Sequence, residues 1–155
     1  MIRRLRREVD RLRHRGERGS AVVEFVVLGV LMLVPLIYLV MTMARLQAGA
    51  YAASTAAREA GRGYVTATSQ EAAEPRALAA ARIAFEDQGF DEAEGALSMD
   101  CDGDPCLRPE GRIEVVATVT VPLPFVPAFA RDVVPLEVPV SASHVAVVDR
   151  FRTRP

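Results

Sequence analysis

Glu24 is the one charged residue between Arg18 and Arg45. Its carboxylate stands directly before 20 uncharged residues, Phe25 to Ala44. At a 1.5 Å rise such a run spans roughly 30 Å as a helix, the thickness of a bilayer's hydrocarbon core. A carboxylate at the edge of that run is costly, and residues of this kind are kept for a function with a nameable partner. Cutting the chain after Gly19 would supply one. The new ammonium on Ser20 would lie four residues before Glu24, on the same helix face. The chemistry on offer is ion pairing, within one chain or between neighbours.

The second reactive pair is Cys101 and Cys106, in Cys-Asp-Gly-Asp-Pro-Cys. Two cysteines five apart around such a turn can reach disulfide distance, and an oxidising compartment outside a membrane would join them. A metal site would need further ligands, and no His or third Cys is nearby. Asp100, Asp102 and Asp104 with Gly103 resemble fragments of a calcium loop, but position 111, where that loop needs Glu, is Gly. A solvated acidic turn is the expectation, with no metal and no cofactor. Catalysis finds no support: no Ser has a local base and there is no phosphate-binding glycine motif. His14 and His144 fall on opposite sides of the apolar run. His144 is read as a strand-surface residue, and the chain is read as not an enzyme.

The charge is asymmetric. Residues 1–18 carry eight Arg against Glu8, Asp10 and Glu17, a balance of +5, whereas residues 45–155 carry eleven Arg against sixteen Asp and Glu, a balance of −5. Arginines just before a spanning segment mark the cytoplasmic side, which predicts the N-terminus inside and the C-terminus outside. The Arg-rich head would also suit an amphipathic helix at the membrane surface, with Ile2, Leu5, Val9 and Leu12 at helical spacing. Nucleic-acid binding is the weakest of its readings. The apolar segment itself has three. A cleaved secretory signal could end at Ala48-Gly49-Ala50, but the uncharged core is too long for one. A plain anchor leaves Glu24 without a role. A processed, pilin-type segment accounts for length, orientation, Gly19 and Glu24 together.

These residues need elements to hold them. Beyond Arg45 the alanine-rich sequence continues the helix, with Gly61 and Gly63 expected as its stop. Ala44, Ala48, Ala52, Ala56 and Ala60 form one four-spaced ridge beside Gly49, Ala53, Ala57 and Gly61. Small residues so arranged let another helix approach closely. Pro35 falls inside the span, where a missing amide is tolerated. A second helix is expected over Pro75–Gln88, with Pro75 in the first turn and Gly89 past the end. Residues 90–111 read as loop. Alternation predicts strands over 113–121 and 136–147, the latter placed at an edge or a bulge by Pro139. The proline-rich connection 122–129 reads as a contact surface with exposed aromatics. The fold class is therefore α+β: a long N-terminal helix, transmembrane and then extended, before a small extracytoplasmic domain with one short helix and a β-hairpin or small antiparallel sheet. The expected divisions are a leader at 1–19, a span at 20–44, a helical extension at 45–63 and a domain at 64–155.

Arg18-Gly19-Ser20-Ala21-Val22-Val23-Glu24-Phe25-Val26-Val27-Leu28, followed by Pro35 and an alanine-rich helix, resembles the TadE-like family, pseudopilins of the tight-adherence (Flp) pilus system. The ending Val147-Val148-Asp149-Arg150-Phe151-Arg152 is similar to such chains too. The resemblance implies a prepilin peptidase cutting after Gly19, Ser20 as mature N-terminus and Glu24 as intramembrane carboxylate. It implies an accessory role in pilus assembly, with other pilins, pseudopilins and the secretion machinery as partners through the N-terminal helix. An uncleaved single-pass scaffold or sensor, holding a cytoplasmic partner on its Arg-rich head, is the alternative from a different class.

Overall fold

The computed structural model describes residues 2–91, 93–123 and 136–152, with side chains from residue 21 onward. Residues 124–129 of the proline-rich connection lie outside the described residues. The fold is α+β, and among the described residues it has two helices, α1 (Ile2–Val65) and α2 (Gln70–Asp87), and three strands, β1 (Gly95–Cys101), β2 (Arg112–Pro122) and β3 (Glu137–Val147). The chain divides into two compact units, Met1–Met41 and Thr42–Pro155.

In the first unit α1 runs unbroken through Pro35. From Val22 to Met41 its large apolar side chains are about half exposed or more, Phe25 at 76%. This helix is long and apolar enough to cross a membrane.

The second unit is a three-stranded antiparallel sheet in the order β1-β2-β3, packed on one face by helices. Alternation along β2 sends Ile113, Val115, Ala117, Val119 and Val121 into the core. Opposite them lie the small residues of α1, with Ala52, Ala53, Ala56, Ala57 and Ala60 fully buried. The helix lies so close to the sheet that a Cβ on Gly49 would collide with Val121, and one on Gly61 would press on Ala146 at 3.1 Å. Burial of many small groups replaces burial of a few large ones, and close backbone approach keeps the packing dense.

Three expectations are corrected here. Gly61 and Gly63 do not stop α1, which continues to Val65. They are crossing points: a Cβ on Gly63 would sit 3.2 Å from the Arg76 carbonyl of α2. Glycine tolerates a helix interior when its missing side chain lets another backbone in. Helix α2 begins at Gln70, not Pro75, because the hydroxyl of Ser69 accepts from Ala72 N–H and caps it. Pro75 therefore lies inside the helix. Gly89 ends α2 as expected, with φ at 73° in the left-handed region. Thirdly, residues 95–101 are not loop. Leu97, Met99 and Cys101 alternate inward, but with no β-branched residue in the segment the strand depends on its pairing with β2 from Gly95↔Val119 to Cys101↔Ile113.

Candidate functional site

Gly19 and Ser20 lie within α1, so their peptide bond is part of the helix. Glu24 follows one turn later with an exposed side chain. Helical spacing puts the backbone nitrogen of Ser20 one turn from Glu24, the distance at which i, i+4 groups meet. Phe25 and the residues after it to Met41 make no buried contact; only Tyr38 among them is as much as half-buried. Residues 21–41 therefore offer one carboxylate and an apolar surface.

The ridge residues are used differently along their length. Ala44 is exposed and Ala48 half-buried, whereas Gly49, Ala52, Ala53, Ala56, Ala57 and Ala60 are buried. What approaches them is the chain's own sheet and α2. Arg45, which closes the uncharged run, is held in the second unit. Its guanidinium donates to the Gly89 carbonyl at 3.0 Å and lies 4.2 Å over the Phe90 ring.

Cys101 and Cys106 are joined as a disulfide, their Cα atoms 5.5 Å apart. The bridged loop is tied to both helices at the α1–α2 turn. Gln70 donates to the Tyr64 hydroxyl at 2.8 Å and accepts from Leu107 N–H at 3.3 Å. Tyr64 in turn faces the Cys101 sulfur at 3.9 Å; a bridged sulfur carries no proton, so the tyrosine is the donor. Within the loop Asp102 accepts from Arg112 N–H at 3.0 Å and pairs with Arg108 at 2.9 Å. The Arg112 hydrogen bond, helped by the charges of Arg108 and Arg112, holds its carboxyl below the ordinary 3.8. Among the described residues no group of His, Cys, Asp and Glu is placed to hold a metal ion.

Two further residues acquire roles in the fold. Arg152 donates to the Val65 carbonyl at 2.9 Å and to the Ala67 carbonyl, capping the C-terminal end of α1 from the far end of the chain. His144 stands on the core side of β3, with its ring 3.3 Å from where a Cβ on Gly61 would be. It is a half-buried packing residue and not a surface one. Strand periodicity could have found it: His144 shares its parity with the inward-facing Val140, Ala142 and Ala146. Arg152 is one of three arginines in the last six residues, and nothing in its local sequence marks it as the one that caps α1.

Comparison with family models, with curated proteins and with solved structures gives no match to this chain.

Proposed function

We propose that this chain is an accessory pseudopilin of the TadE-like kind, anchored in the cell membrane by α1 and processed after Gly19 by a prepilin peptidase. The observation that carries the reading is the single carboxylate of Glu24, one turn from Ser20 and at the head of an exposed, otherwise uncharged helical run. In hydrocarbon that carboxylate needs a cation, and an ammonium on a mature Ser20 is the nearest group that could become one. Pairing with the amine of a neighbouring subunit would also fix the axial register between helices in an assembly. The Arg-rich leader sets the N-terminus in the cytoplasm and the second unit outside, where Cys101 and Cys106 would meet oxidising conditions.

Sequencing the N-terminus of the protein recovered from native membranes tests the reading. Ser20 as first residue supports it. Met1 would replace it with the unprocessed anchor that scaffolds or senses, and Tyr51 with a secreted domain.

A further inference from the structure

We propose that the sheet continues from one copy of the chain into the next, with β3 of one copy hydrogen-bonded in parallel to β1 of its neighbour. The inference rests on the membrane-anchored reading above, which gives all copies one orientation.

Sheet order leaves β1 and β3 as edges, and among the described residues no strand pairs with their outer sides. Proteins commonly blunt such edges with proline or charge. The phase of the ladders shows which groups are free. Thr120 N–H donates to the Glu94 carbonyl and Asp102 N–H to the Arg112 carbonyl, so even-numbered residues of β1 bond to β2 and odd-numbered ones point off the edge. On β3 the Leu123 N–H donates to the Leu136 carbonyl, which again sends the odd-numbered groups outward. Pro139 is one of these, so its missing N–H costs the native sheet nothing.

Direction then selects the partner. Gly49 of α1 lies against Val121 and Gly61 against Val115 and Ala146, so the helix runs parallel to β1 and β3. The chain enters this unit at Thr42, and two copies anchored in one membrane are both tethered to it through that residue. Joining like edges, β1 to β1 or β3 to β3, reverses either the strand direction or the helical face of the sheet. Only β3 against β1 keeps both, by simple translation, and it generates a row that does not close on itself.

The two edges match in level and phase. Leu97 pairs with Ala117 and Ala117 with Ala142, so a level translation sets Leu97 opposite the neighbour's Ala142. In a parallel ladder Leu97 then donates to the Ser141 carbonyl and accepts from the Ser143 N–H, and the pattern repeats every two residues. At the start, Gly95 donates to the carbonyl of Pro139, which serves only as acceptor. The proline's missing N–H would matter at residue 93, before β1 begins. On the helical side, a groove of about 480 Å³ between α2 and β1, lined by Leu78, Phe85, Gly95 and Leu97, would receive the neighbour's Val140 and Ala142. An edge of seven residues is about 23 Å long and buries less than the roughly 1,200 Å² of a stable pair, so the contact suits copies held together in a membrane.

The test uses full-length chains in native membranes. Two tagged copies are co-expressed, one Ser98→Cys and one Ser143→Cys, both at exposed positions on the outer face. Ser98 and Ser143 both pair with Val116, so they are level and would face each other across the junction. A short bis-maleimide should link the mixed pair. Linkage within either variant alone, or no linkage at all, overturns the proposal. Adding Val145→Pro to the Ser143→Cys copy removes an outward N–H that the native sheet does not use. The mixed link should be lost while the Cys101–Cys106 bridge still forms; a link that persists overturns the proposal, and Ser141→Pro repeats the test should Val145→Pro fail to fold. The outcome is separable from the pseudopilin reading: Ser20 at the N-terminus without the link sinks only the row, and Met1 with the link sinks only the processing.

Discussion

Residues 22–41 and the small-residue ridge within 49–61 belong to one helix and are both mainly nonpolar, yet they bury opposite amounts of surface. In the first stretch Val, Leu, Met and Phe stay about half exposed or more, while in the second Ala52, Ala53, Ala56, Ala57 and Ala60 are fully buried. Side-chain size separates them. Small residues let a helix come within contact of a sheet over several turns, and a modest domain can be built on that helix. Large ones on every face of a helix cannot all be covered by one chain of this length, and a continuous apolar surface of that extent calls for lipid or other subunits. Within the apolar part of one element, then, bulk marks what the fold buries and what it leaves exposed.

The largest effect should come from the carboxylate at the head of the first stretch. If the chain is the pseudopilin proposed above, Glu24→Ala should leave membrane insertion intact or slightly improved, and abolish incorporation into a pilus machinery. Glu24→Asp should be partly defective, because the shorter side chain misses its partner. Wild-type piliation of the Ala variant would reduce Glu24 to a tolerated polar residue.

The comparison between the stretches sharpens with one substitution made twice. Gly49→Leu should destabilise the second unit by about 3 kcal/mol or more, since even its Cβ collides with Val121. Gly29→Leu should leave that unit's stability unchanged, because nothing lies within 4 Å of the position. Urea unfolding of the full chain in detergent, followed by far-UV dichroism, checks both. Equal effects would mean that the ridge is not a packing surface.

Two smaller losses concern the turn where the second stretch ends. Arg152→Ala should cost about 2 kcal/mol, the range for hydrogen bonds from a charged donor, by exposing the Val65 and Ala67 carbonyls. Replacing Cys101 and Cys106 together by Ser should cost about 2 kcal/mol, since so short a loop closes with little entropy. Non-reducing mass analysis should show the two cysteines joined in the native chain, and recovery of free thiols would remove the bridge.

The smallest effect is one of pH. Asp102 is held below its ordinary 3.8, so its contribution is present above that value and is lost as pH falls through the lower folded value. Asp102→Asn should therefore flatten the acid limb of the stability curve below about pH 4 and change little at pH 7. An unaltered acid limb would show that the Arg112 hydrogen bond does not survive in solution.

The sequence by itself determined the elements whose pattern is local. The uncharged run after Glu24, the alternation in β2 and β3, the glycine past the end of α2 and the spacing of Cys101 and Cys106 each carry their own signal, and the structure has the corresponding elements in place. Pro139 announced an edge for the same reason: a missing N–H is a property of the residue. Tertiary structure decided what depends on a partner distant in the chain. Gly95–Cys101 has little strand propensity and becomes β1 because β2 offers a ladder and the core accepts Leu97 and Met99. Gly61 and Gly63 read locally as a stop, yet they continue α1 because β3 and α2 fill the space their side chains lack. Arg152 acquires a role only when the fold brings it back to the end of α1. A residue's conformational preference is written in its own chemistry, but the use of a gap, a free carbonyl or an unpaired edge is set by whichever group arrives to fill it.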